Sequence, residues 1–220
     1  MGSGGRWTAR GVHGQAGRLP ATTQARAEAS LTGRPEGHEP LTFGVVSARM
    51  EAMTAGDVAP FRVVFVCTGN ICRSPMADVV FRGFADAAGL GPRVASTSAG
   101  TGDWHVGERA DQRTIDALAR AGYDGSHHRA RQFTHSDFAR SDLVVALDRS
   151  HERILRGWAR NEADSDKIAL LMSFDASAHT LDVPDPYYAG PGMFDEVLGM
   201  IESASRALFR QLEPAIRPVP

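Results

Sequence analysis

Residues 63–78 read VVFVCTGNICRSPMAD. Together with Arg62 the first five residues form RVVFVC, a continuous β-branched and aromatic run that predicts a strand buried on both faces. The run ends at Cys67 in a short polar turn holding Gly69 and Asn70, two residue types that tolerate positive φ. Ser74-Pro75 predicts a helix start, with Ser74 at the N-cap and Pro75 at the first helical position. Met76, Val79, Val80, Phe84 and Ala87 then recur at helical spacing through 75–88, and Gly89 is a fitting stop. A buried strand feeding a helix N-terminus through a glycine-containing turn aims backbone N–H groups at one point, which suits an anion. Both of the chain's cysteines, Cys67 and Cys72, fall inside that turn, with Arg73 directly behind them.

Outward from this stretch, strand-like and helix-like segments alternate. RVASTSAG (93–100), DLVVALD (142–148) and KIALLMS (167–173) read as further strands. Helices are expected over 108–123, around 149–160, and from about Met193 to Leu212, with a Pro-, Asp-, Gly- and Tyr-rich loop at 175–192. The βαβα alternation implies one doubly wound α/β domain, a parallel sheet with helices on both faces. Ligands in such sheets bind outside the carboxyl ends of the strands, beside the first βα turn, where Cys67 lies.

Residues 1–58 have a different character. They carry Gly, Arg, Thr and Pro with few large apolar residues and no sustained period, too little apolar surface to offset the entropy of ordering. The expectation is a disordered extension over 1–58, or translation that begins at Met50 or Met53, followed by a domain over 59–216. A net charge of −2 gives no field that favours nucleic acid or an anionic membrane. No stretch is long and apolar enough to span a bilayer, and no signal-peptide pattern opens the chain. Two cysteines in one turn make no disulfide framework, so a reducing cytoplasm is the expected compartment.

The turn also suggests chemistry. A thiol is largely protonated at neutral pH, and a helix terminus supplies only ~0.3–1 kcal/mol toward ionising it. Converging amides, the Ser74 hydroxyl and the Arg73 guanidinium must supply the rest. The planar fork of Arg73 suits a tetrahedral oxyanion, because it can hold two oxygens at once. The C-x5-R spacing by itself is a weak signal, and the commonest fate of a free cysteine is an inert core position. A core cysteine, however, needs neither the turn nor the arginine. Downstream, Asp185 in VPDPYY (183–188) stands evenly between an ordinary turn residue and an acid catalyst. The eight histidines lack H-x3-H or H-E-x-x-H spacing, and no GxxxxGK[ST] loop is present, so metal and nucleotide chemistry have no motif behind them.

CTGNICRS followed by PMAD, with DPYY far downstream, resembles the low-molecular-weight protein tyrosine phosphatases; STSAGTGDWHVG, HRARQ and VVALDRS are similar to a bacterial, actinobacterial-type member. The likeness runs from about Arg62 to Leu212. It implies a four-stranded parallel sheet of order 2-1-3-4, with the phosphate loop after the first strand. It implies a nucleophile at Cys67, a phosphate-binding arginine at Arg73 and a general acid at Asp185. Thr68, Gly69, Asn70, Ile71, Cys72 and Ser74 would complete the phosphate loop, Ser74 by hydrogen-bonding the thiolate. Asn70 would hold a left-handed turn supported by Ser98 and His128. Trp104, His105, Tyr187 and Tyr188 would wall a slot deep enough to favour phosphotyrosine, and Cys72 would form a reversible disulfide with Cys67. The implied enzyme needs no cofactor or metal. It acts on phosphotyrosine proteins, holds phosphate or another oxyanion in its site, and works as a monomer or weak homodimer in the cytoplasm or exported without a signal peptide.

Three alternatives stand beside it. Thioredoxin-coupled arsenate reductases share the loop but relay electrons through further cysteines, and none follows Cys72. Protein arginine phosphatases carry a small Thr where this chain has Ile71. A non-catalytic phosphotyrosine-binding module would be expected to lack the nucleophile or the acid.

Overall fold

The structure, a computed structural model, describes residues 59–217. The expectation of a disordered extension over 1–58 lies outside them. Strand β1 (Phe61–Cys67) leads into helix α1 (Arg73–Ala87), and a single 3₁₀ turn precedes β2 (Val94–Gly100). Helices α2 (Gln112–Arg120) and α3 (His135–Arg140) come before β3 (Leu143–Ala146). Helices α4 (Arg149–Trp158) and α5 (Glu162–Asp166) come before β4 (Ile168–Leu170), and α6 (Pro191–Ile216) is the last element among the described residues. The four strands are parallel in the order β2-β1-β3-β4, as expected.

Alternation along the strands builds two cores. Val63 and Phe65 of β1 point to one face, where they join Met76, Val80 and Phe81 of α1, Leu118 of α2, and Phe194, Ile201 and Leu208 of α6. Val64 and Val66 point to the other, joined by Val144, Ala146, Phe138 of α3 and Leu155 of α4. Burial on both faces is why β1 reads as an unbroken apolar run.

Several boundaries differ from expectation, each for a physical reason. Helix α1 begins at Arg73 with Cys72 at its N-cap, so Ser74 is not the cap and Pro75 is not the first helical residue. The Ser74 side chain is taken by another partner, described below. The helix expected from 108 begins only at Gln112, where Asp111 accepts a hydrogen bond from the Arg113 amide at 2.8 Å. KIALLMS is strand only to Leu170; Leu171–Phe174 turn into a 3₁₀ segment that keeps Leu171, Met172 and Phe174 buried. A continuous apolar run does not distinguish those two conformations. Helix α3 was not anticipated, although Thr134 and Asp137 form a capping box, the Asp137 carboxylate accepting from the Thr134 amide at 2.7 Å.

Parallel pairing brings Cys67 of β1 opposite Gly100 of β2. A Cβ on Gly100 would lie 2.7 Å from the Thr68 carbonyl oxygen and 3.2 Å from the Asn70 nitrogen, so the phosphate loop folds over β2 only because this residue has no side chain.

Candidate active site

The loop after β1 is shaped by one side chain. Asn70 has φ of 56°, the only positive φ at a non-glycine among the described residues. Asn tolerates that conformation because its short side chain bonds locally. Here its Oδ1 accepts from the Arg131 amide at 2.9 Å and its Nδ2 donates to Ser74 Oγ at 2.8 Å. Its carbonyl oxygen lies 2.7 Å from His128 Nε2. A carbonyl can only accept, so Nε2 carries the proton. Burial lowers the pKa of His128, against the opposing pull of that hydrogen bond, and favours the neutral ring that serves the contact. Ser98 is buried on β2 and, with His128 and Arg131, lines a cavity of about 620 Å³ behind the loop. No described hydrogen bond joins Ser98 to Asn70.

Ser74 Oγ sits 3.0 Å from the Cys67 sulfur and 3.2 Å from the Ala99 carbonyl oxygen. It already accepts from Asn70, and its single proton goes to the sulfur or to that carbonyl. An ionised sulfur, the stronger acceptor, draws it. Because Cys72 offers no side-chain cap, the first-turn amides of α1 have no competing acceptor from that position.

Arg73 is 3% exposed, and its guanidinium reaches four partners. Nη1 donates to Asp148 Oδ2 at 2.7 Å and to the Val183 carbonyl at 3.1 Å. Nη2 donates to Asp185 Oδ2 at 2.7 Å and to Thr68 Oγ1 at 3.2 Å. Asp148 and His151, which the sequence reading did not single out, contact Arg73 and Thr68 beside the cavity. Asp148 caps α4 through the amides of Ser150 and His151, and His151 Nε2 lies 2.8 Å from Thr68 Oγ1. Burial would raise the pKa of Asp148, but hydrogen bonds from His151 and Ser150 outweigh it and hold the carboxyl well below the usual carboxylate range. The signal was available: Asp148 follows the end of β3, the strand beside β1, where the switch-point rule applies equally.

The sulfur opens into a cavity of about 190 Å³. Thr68, Gly69, Ile71, Cys72 and Arg73 line it from the loop, and Trp104, His105, Asp185, Tyr187 and Tyr188 from the mouth. The structure thus gathers the expected loop and wall residues around one space, with Asn70, Ser74, Ser98 and His128 behind it. The Asp185 side chain is half-exposed, and its Oδ1 accepts from the Tyr187 amide at 3.1 Å. Trp104 and Tyr188 are exposed at the rim, while His105 Nδ1 is held 2.7 Å from Glu108. Cys72 is buried, and burial pushes its thiol up to about 12. Among the described residues no group of His, Cys, Asp and Glu is placed to hold a metal, and no helix is long and apolar enough to cross a membrane.

A thiol at the carboxyl end of the first strand of a parallel sheet, with an arginine closing the turn behind it, is how cysteine-dependent phosphatases on this type of fold hold a phosphate over the attacking sulfur; the fold and site define that class. Residues 62–217 match the model of the low molecular weight phosphotyrosine protein phosphatase family, and the chain belongs to that family. It is 57% identical over 150 residues to a low molecular weight protein-tyrosine-phosphatase of Streptomyces coelicolor, covering 67% of this chain and 91% of the relative. It is 48% identical over 147 residues to the low molecular weight protein-tyrosine phosphatase A of Mycobacterium tuberculosis, covering 66% and 87%. Among solved structures, YfkJ from Bacillus subtilis superposes with a TM-score of 0.68 at 35% identity, covering 72% of this chain and 98% of that one. A protein tyrosine phosphatase from Entamoeba histolytica gives 0.67 at 32%, covering 70% and 97%.

Proposed function

We propose that this enzyme hydrolyses phosphotyrosine in proteins, and aryl phosphates generally, through a phosphocysteine intermediate. The observation that carries the reading is the placement of the Cys67 sulfur, the Arg73 guanidinium and the Asp185 carboxyl around one cavity walled by aromatic rings. Cys67 attacks phosphorus as the thiolate while the bond from phosphorus to the phenolic oxygen breaks, and Asp185, carrying a proton, delivers it to that oxygen. A phosphate on Arg73 takes the place of the Asp185 carboxylate at Nη2 and frees it to stand over the leaving group; Asp148 keeps Nη1 anchored. In the second half-reaction Asp185 takes a proton from water, the resulting nucleophile displaces sulfur, and the Ser74 hydroxyl stabilises the departing thiolate. No step calls for a metal or cofactor.

The slot between Trp104 and His105 on one side and Tyr187 and Tyr188 on the other favours a flat aryl ester over the shorter phosphoserine. Ile71 is buried against the same cavity, so an apolar group stands where an N–P substrate would want a hydroxyl. Both cysteines are free, which suits a reducing cytoplasm, and we place the enzyme there as a monomer or weak homodimer. The test is turnover of matched phosphotyrosine, phosphoserine and phosphoarginine peptides, with Cys67→Ser as control. Phosphotyrosine should be hydrolysed and Cys67→Ser should be inert. Preferred release from phosphoarginine or phosphoserine, or activity surviving in Cys67→Ser, would overturn the reading.

A further inference from the structure

Arg113, in the first turn of α2, belongs to none of the motifs that mark the site. Its Nε and Nη2 bond the two carboxylate oxygens of Asp111 at 3.0 and 2.8 Å. The same guanidinium crosses to the segment that follows Asp185, donating from Nη2 to the Tyr187 carbonyl at 3.0 Å and from Nη1 to the Ala189 carbonyl at 3.1 Å. It also lies over the ring of Phe194, 4.5 Å from its centre, at the start of α6. A capping pair needs only the contact between Asp111 and its own helix. The reach to two carbonyls more than 70 residues away serves something else.

The contacts join end to end. The Asp111 amide donates to the Ile71 carbonyl in the phosphate loop at 2.9 Å. The Asp111 carboxylate holds Arg113, and Arg113 holds the Tyr187 carbonyl. The Tyr187 amide donates to Asp185 Oδ1 at 3.1 Å. The residue that Arg113 grips by its carbonyl is therefore the one whose N–H orients the acid. Hydrogen bonds from Arg113 outweigh burial and hold Asp111 below the usual carboxylate range, which keeps the pair charged at neutral pH. The four bonds that Arg113 makes draw on the five N–H donors of a rigid guanidinium fork; a lysine ammonium has three and cannot also grip the Asp111 carboxylate with two parallel bonds.

We propose that Arg113, oriented by Asp111, is the positioning residue that ties the phosphate loop to the acid loop and sets the Asp185 carboxyl over the leaving oxygen. The inference rests on the phosphatase reading above. The experiment measures kcat/KM for aryl phosphates of graded leaving-group pKa, in the parent, Arg113→Gln, Arg113→Lys and Asp111→Asn, with thermal unfolding beside it. The parent should depend weakly on leaving group. Arg113→Gln should lose little with the most acidic phenol and roughly tenfold with unsubstituted phenol, part of the ~10²–10⁴ that a positioned acid supplies. Arg113→Lys should steepen the dependence nearly as much. Asp111→Asn keeps the helix cap and the amide on Ile71, so it should fold and show the same steepening in smaller measure, which keeps the test available if Arg113→Gln does not fold. An active parent whose variants lose activity uniformly across the series, or lose none, overturns this inference alone. A parent inert toward every aryl phosphate overturns the phosphatase reading with it.

Discussion

Cys72 stands one residue ahead of α1, 5% exposed, with a thiol pushed up to about 12 by burial. At neutral pH roughly one such thiol in 10⁵ is ionised, so this sulfur is a poor first target for an oxidant. Peroxide should instead oxidise Cys67, whose sulfur opens into the cavity, to a sulfenic acid; attack by Cys72 then closes the disulfide and releases water. That closure should speed up about tenfold per pH unit between pH 7 and 9, followed as a mass loss of two hydrogens that dithiothreitol reverses. If Cys72→Ser recovers activity after peroxide as fully as the parent, the disulfide does not protect Cys67. The resemblance already gave the two cysteines different parts, Cys67 as nucleophile and Cys72 as its disulfide partner; the burial that raises the Cys72 thiol was not legible in the sequence. Cys67, Arg73 and Asp185 were legible because each sits in a short motif. His151 and Arg113 were not, because they lie in no such motif and meet their partners 83 and 74 residues away; Asp148 lay within VVALDRS at a strand's carboxyl end, but nothing in that motif tied it to Arg73.

Secondary-structure elements were read best where one cause dictated them. Burial on both faces made β1 unmistakable, and the turn with Asn70 fitted a left-handed residue. Where two causes competed, the reading slipped: Ser74 has the chemistry of an N-cap, but the sulfur and Asn70 claim its hydroxyl. Helix α4 shows the same double use at Asp148, which caps the helix with Oδ1 and holds Arg73 with Oδ2. The two roles separate by substitution. Asp148→Asn retains an oxygen for the cap, whereas Asp148→Ala loses the cap, worth about 1 kcal/mol, as well as the charge facing Arg73. Both variants leave Arg73 with Asp185 as its remaining carboxylate, so both should be destabilised in urea. Alanine should be the worse by about the cap's worth. Equal midpoints for the two variants would show that the cap contributes nothing to α4.

At the scale of the whole molecule, the sheet order places β1 between β2 and β3, so its carboxyl end meets Gly100 on one side and the approach to Asp148 on the other. That topology was legible from the alternation and the resemblance; the charges buried beneath it were not. Asp137 and Asp148 have folded pKa values below those of the unfolded chain. Hydrogen bonds to Thr134 and Arg131, and to His151 and Ser150, outweigh burial at these two sites. Their stabilisation is complete above ~3.9 and is lost as pH falls through the folded values. His128, lowered by burial, binds its proton more weakly folded than unfolded, so stability begins to fall as pH drops below ~6.5. Asp78 runs the other way. Its Oδ1 is buried without a hydrogen-bond partner, and desolvation raises its pKa although Arg82, Ser96, His128 and Arg131 pull it down. The folded state therefore bears a cost for the ionised Asp78 that begins to lift as pH falls through the raised folded value and is gone below the unfolded value of ~3.9. Asp78→Asn, which brings no charge into that site, should raise the thermal midpoint at pH 7 by ~2–4 °C for each kcal/mol relieved. The advantage over the parent should shrink as pH falls through the raised folded value and be gone below ~3.9, where the unfolded chain's carboxyl is protonated too. Unfolding curves of the two proteins from pH 4 to 8 decide the matter, and an offset independent of pH would show that the buried charge at Asp78 is not what the substitution removed.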